Sequence, residues 1–129
     1  MTTGRELAEA IAAQLGSIAD CRVWSFGSDT FLPPGIVVTP PSMSWGSEDR
    51  TFCEIQWTFD LQIVVARPND KTPYDELDRL VGAVADRLGE DPSIGGVARY
   101  ARLVTAEPAT VTVSGTDLPA YIATLVVIA

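Results

Sequence analysis

At 129 residues, 47% hydrophobic and 20% charged, the chain has the make-up of a single globular domain with room for a core. A net charge of −8, from 17 acidic against nine basic residues, disfavours binding to a nucleic-acid backbone by counterion release. The lack of histidine removes the commonest general base, the Ser-His-Asp arrangement and most zinc sites.

The N-terminus, MTTGRELAEA, has no signal-peptide core, and no run approaches the ~18 apolar residues of a membrane span. A cytoplasmic origin is therefore expected. Thr3 and Glu6 have capping-box spacing, and Leu7, Ile11 and Leu15 recur every four residues. A first helix follows over 4–16, with Gly16 placed to end it. Residues 22–26, RVWSF, read as a short strand, and Pro33-Pro34 force a bend. Residues 36–39 form a second short strand stopped by Pro40-Pro41, and the two are expected to pair as an antiparallel hairpin at a sheet edge.

Residues 42–51, SMSWGSEDRT, read as irregular, a protruding loop or arm within 40–52. Met43 and Trp45 either fold back on the core or anchor a neighbouring chain, with Glu48, Asp49 and Arg50 as the polar rim of such a contact. In 53–65, Cys53, Ile55, Trp57, Phe59, Leu61, Ile63 and Val65 alternate with Glu54, Gln56, Thr58, Asp60 and Gln62; only Val64 breaks the pattern. That period of two predicts one long strand with an apolar and a polar face.

Thr72-Pro73 and the acids after them start a second helix over 73–88, with Leu77, Leu80, Val81, Val84 and Leu88 on one face and Gly89 to stop it. Asp75 and Arg79 are placed to pair on its solvent side. A strand is predicted over 97–106, ended by Pro108, with a shorter piece at 110–113. The last strand, 120–128, is apolar on both faces and is expected to be central or covered on both sides. The fold class is α+β: an antiparallel sheet with one very long strand at about 52–66, helices at about 4–16 and 73–88 on one face, and a strand at the chain end. One domain, 1–129, accounts for the whole sequence.

Chemistry is thinly represented. Glu54 and Asp60 lie six residues apart on the strand, ~20 Å by strand rise, whereas paired glycosidase carboxylates need ~5 to 9.5 Å. Glu48-Asp49 and Glu90-Asp91 read as solvated loop acids, and there is no P-loop, GxGxxG or GxSxG. No enzyme activity, cofactor or metal is expected. Cys21 and Cys53 form no CxxC pattern; Cys53 reads as a buried thiol, and a cytoplasmic origin argues against a disulfide between them.

The order of parts carries a resemblance. A capped N-terminal helix, a proline-rich hairpin ending in IVVTPP, a Trp- and Gly-bearing arm and an alternating strand running into ARPND come first. The helix TPYDELDRLVGAVADRL and the terminal SGTDLPAYIATLVVIA complete it. Together these resemble the tail terminator (tail completion) proteins of long-tailed bacteriophages, especially those of actinobacteria. The resemblance implies a non-catalytic virion protein at the head-proximal end of the tail, assembled in the host cytoplasm. It implies a homo-oligomeric ring, usually a hexamer, that caps the tail tube protein, stops its polymerisation and meets the head–tail connector protein. DNA would pass through without specific binding. In such a ring the alternation and the −8 charge lead to the expectation that the polar strand face bearing Glu54 and Asp60 lines the lumen, where like charge keeps DNA from sticking. A neighbouring connector or neck protein is the nearest alternative, and a small-ligand-binding α+β domain the alternative of a different class.

Overall fold

The computed structural model describes residues 3–16, 18, 21–25, 35–45, 55–65, 73–113 and 115–128. Helix α1 (Gly4–Leu15) begins where Thr3 Oγ1 accepts the Glu6 N–H at 3.1 Å, so the cap read from the sequence forms. Leu7, Ala8, Ile11 and Leu15 are its buried stripe. It ends at Gly16, which stays right-handed at φ −65°.

Three short strands follow, β1 (Arg22–Ser25), β2 (Gly35–Val38) and β3 (Ser42–Trp45), then β4 (Ile55–Val64). Helix α2 (Pro73–Glu90) precedes two long strands, β5 (Tyr100–Val113) and β6 (Thr116–Ile128). The six strands form one sheet in the order β1-β2-β4-β6-β5, with β3 pairing β4 beyond the end of β2. All pairings are antiparallel except β1 with β2. The α+β class holds, and the chain ends on a strand that is central, between β4 and β5.

Alternation sorts β4 between two environments. Trp57, Phe59, Leu61 and Ile63 are buried and pack with Val65, with Val127, Leu125 and Ala123 of β6, and with Ile36 and Val38 of β2. Leu7, Ile11 and Leu15 of α1 and Leu77, Leu80, Val84 and Leu88 of α2 belong to the same cluster, so both helices cover one face. On the other face Gln56, Thr58 and Gln62 are half-buried and Asp60 is exposed. Val64, which broke the period, is buried there in a separate small cluster with Leu118 and Ala120.

Several expectations are corrected. Among the described residues the longest strands are β5 and β6, at 14 and 13 residues, against 10 for β4; residues 52–54 and 66 of the expected long strand lie outside the described residues. β1 and β2 run parallel rather than as a hairpin. Only loops of about two to five residues impose hairpin geometry, and the connection at 26–34 is longer and lies outside the described residues.

Residues 42–45, the first part of the segment expected to be irregular, form a strand paired with β4, and the rest of the expected arm, 46–52, lies outside the described residues. In the pairing with β4, Val38 faces Leu61 but Ser42 faces Thr58, one extra residue across Thr39, Pro40 and Pro41. This bulge-like joint shifts the alternation and puts Met43 and Trp45 on the helix side of the sheet. Pro108 does not end β5, and Pro119 lies within β6. Pro108 is tolerated because β5 is an edge strand, where half the backbone donors have no ladder partner. Helix α2 runs through Gly89 to Glu90, and Asp91-Pro92 end it instead. Arg79 pairs with Glu76 (Nε to Oε2, 3.2 Å), where Asp75 was expected. Thr72, the expected cap, lies outside the described residues.

Between α2 and β5 the turn is tied by Asp91, whose carboxylate accepts from the Ser93 hydroxyl and from the N–H groups of Ser93 (3.1 Å) and Gly95 (2.9 Å). These bonds hold the Asp91 carboxyl below its ordinary range, the Ser93 hydroxyl contributing most. The turn forces Ile94 to φ 48°, a costly conformation for a β-branched residue, while its side chain is buried in the core.

Candidate subunit interface

The sheet has two flanks of different character. On the β5 flank, the outermost strand carries a bulge between Leu103 and Thr105, then exposed Glu107 and Pro108. Bulges, charges and prolines are the devices that keep an edge from pairing with another chain. On the other flank, β1 borders β2 at one end of the sheet, while at the opposite end β3 is outermost among the described residues. β3 reads Ser-Met-Ser-Trp, has no charge and is exposed along its length. It is an undefended edge.

Met43 pairs with Trp57 and Trp45 with Ile55, on the face the helices cover elsewhere. The helices do not reach them: Met43 is 47% and Trp45 61% exposed. Trp45 therefore does not fold back over the core. Trp57 does, at 4% exposure, and it sits behind β3 against Gly4 and Pro41, where a Cβ on Gly4 would meet Trp57 Cζ3 at 3.1 Å. Its buried indole N–H has no hydrogen-bond partner among the described residues. Val97, Tyr100 and Val104 are the other large apolar side chains exposed among the described residues. Tyr100 shares a row with Ile128, Gln56 and Ser44, so exposed apolar groups occur on both flanks at the same end of the sheet.

Of the residues singled out from the sequence, Met43 and Trp45 lie on β3, while Glu48, Asp49, Arg50, Cys53 and Glu54 lie outside the described residues. Asp60 is on the open face, near Thr124 Oγ1 at 3.5 Å, and its backbone carbonyl accepts from the Thr39 hydroxyl at 2.7 Å. The charged residues described on that face are two of each sign: Asp60 and Glu107, Arg22 and Arg102. Among the described residues the acidic excess sits mostly on the helices, with Glu6, Glu9, Asp75, Glu76, Asp78, Asp86 and Glu90 against Arg5, Arg79 and Arg87. Tyr100 and Val104 were not singled out, because inside a predicted strand nothing in the sequence marks which edge faces outward.

A groove of about 420 Å³ lies between α1 and the C-terminal end of α2, lined by Ala10, Ala13, Ile94 and Val97. Its polar groups are already engaged. The Gln14 amide donates to the carbonyls of Arg87 (2.8 Å) and Asp91 (3.1 Å), capping α2 from α1, and Arg87 pairs with Glu90 at 3.2 Å. Cys21 is a free thiol, half-buried. Burial pushes it up to about 11, against a lowering by Arg79 and with a smaller push from Glu76. Among the described residues no group of three His, Cys, Asp or Glu side chains is placed to hold a metal ion, and no helix is long and apolar enough to cross a membrane. Neither the protein-family models nor the curated proteins compared with the chain give a match.

Proposed function

We propose that the protein is a non-catalytic structural subunit that closes with copies of itself into a ring, and that the ring is the tail terminator of a long-tailed bacteriophage. The observation that carries the first part is β3: an uncharged, exposed edge strand presenting Met43 and Trp45 outside the core. Exposed apolar side chains on an undefended edge invite a protein partner. A contact between unlike surfaces of identical subunits closes when its rotation divides a full turn. The tail assignment rests on the resemblance in the order of parts. In this reading the ring, a hexamer in that family, sits at the head-proximal end of the tail. There it stops polymerisation of tube protein and meets the connector.

The open face of the sheet is the proposed lumen wall, with Asp60 among its described residues. Its described charges balance, and it has no cluster of bases. DNA would pass a near-neutral wall because nothing there attracts it. An assembled ring with Asp60 turned away from the channel would overturn this assignment.

The test is the mass of the protein in solution. The wild-type chain is expected to sediment as a closed oligomer, and the M43A/W45A variant as a folded monomer. A wild-type chain that stays monomeric at all concentrations would overturn the ring, and an unfolded variant would return Met43 and Trp45 to the core.

A further inference from the structure

Resting on the ring reading, we infer that β3 of one subunit pairs, antiparallel, with the first four residues of β5 in the next, so that the sheets join across the interface. Three features of the single chain point to this register. The first is height. β3 occupies the rows of Ile55 to Thr58 on β4; following Gln56, Trp57 and Thr58 across Ile128, Val127 and Val126 leads to Tyr100, Ala101 and Arg102 on the far flank. In a ring whose axis runs along the strands, contacting segments must lie at about the same level, and these two do.

The second is direction. Each step β3-β4-β6-β5 is antiparallel. Three reversals leave β3 and β5 opposed, so a copy brought alongside by rotation meets β3 with an antiparallel strand.

The third is length. β3 has four residues, and it lies in a notch, because the sheet is one strand wider where β1 borders β2. The incoming segment has room for a strand about 4.8 Å away only until it meets the level of β1. β5 offers four residues, Tyr100 to Leu103, before its bulge. There the ladder is interrupted and the strand bends. Glu107 and Pro108 follow on the stretch that has to stay unpaired.

Pairing would place Ser42 and Ser44 beside Tyr100 and Arg102 of the neighbour on the open face. On the helix side Met43 would face Ala101, with Leu103 diagonal to it, and Trp45 would lie one pair further on, diagonal to Ala101. The bulge on β5 and the notch beside β3 are thus two parts of one joint.

The experiment is disulfide trapping in a chain whose own Cys21 and Cys53 are replaced by Ser. Ser42, Ser44 and Arg102 are exposed, so their replacement leaves the core intact. The pairs S42C/R102C and S44C/R102C cover the in-row register and the two-residue stagger that keeps β3 on the start of β5, with Cα separations within disulfide range for paired strands. Oxidation is expected to give a ladder of crosslinked species ending at the mass of the closed ring for one of the two pairs. S42C alone should give none. A ring of unchanged mass with no ladder from either pair would overturn the strand pairing and leave the ring reading standing. Dimers from S42C alone would overturn it in favour of β3 meeting β3. A monomer at every concentration would overturn both.

Discussion

Trp57 and Trp45 stand two residues from register on neighbouring strands of one face, and they have opposite fates. Trp57 is 4% exposed, closed in by Gly4 and Pro41; Trp45 is 61% exposed. Both positions follow the same alternation, so period alone does not separate them. The helices do: α1 and α2 cover the face from β1 across β2, β4 and β6 to β5 and stop short of β3. One face is thus divided into a part that holds the fold together and a part left for a partner. The covered part should answer to stability measurements and the uncovered part to assembly measurements.

The largest effect is expected at the centre of the covered part. Phe59→Ala removes a fully buried ring and should cost ~3–5 kcal/mol in denaturant unfolding, against within about 0.5 kcal/mol for W45A. Equal losses would dissolve the distinction between the two regions. Gly4→Ala probes the boundary. Alanine ordinarily favours a helix by up to ~1 kcal/mol over glycine, but here its Cβ would lie 3.0 Å from Pro41 Cγ and 3.1 Å from Trp57 Cζ3. No gain or a net loss is expected, and a full gain would mean that the wall behind β3 is looser than drawn.

The smallest effect on the fold concerns Cys21, packed against the covered core. With its thiol pushed up from 9.0 to about 11, it should hold roughly a hundredfold less thiolate at pH 8 than an open cysteine. In a C53S chain, alkylation should be correspondingly slow until denaturant exposes it; fast alkylation of the folded chain would place Cys21 outside the packed layer.

Much of the fold was legible. The cap at Thr3, the stripes Leu7-Ile11-Leu15 and Leu77-Leu80-Val84-Leu88, and the alternation from Ile55 to Ile63 follow from local periodicity, and each is found where the residues put it. Met43 and Trp45 could be picked out as large apolar groups among small and polar ones, but not placed, because 42–45 is too short to show a period. The prolines misled. Pro108 and Pro119 lie within strands; Pro108 is on an edge strand, where half the donors have no ladder partner, and which strand becomes an edge depends on neighbours far away in sequence.

The sequence by itself determined the class of structure, the two helices, and which side of the middle strand turns inward, because those depend on spacings of two and near four along one segment. Only the tertiary structure decided the rest: that β1 runs parallel to β2, that β6 is central while β5 is an edge, and that β3 is left uncovered beyond the reach of the helices. These depend on which segments become neighbours. A strand's residues do not state whether its outer edge will be paired, defended or left open.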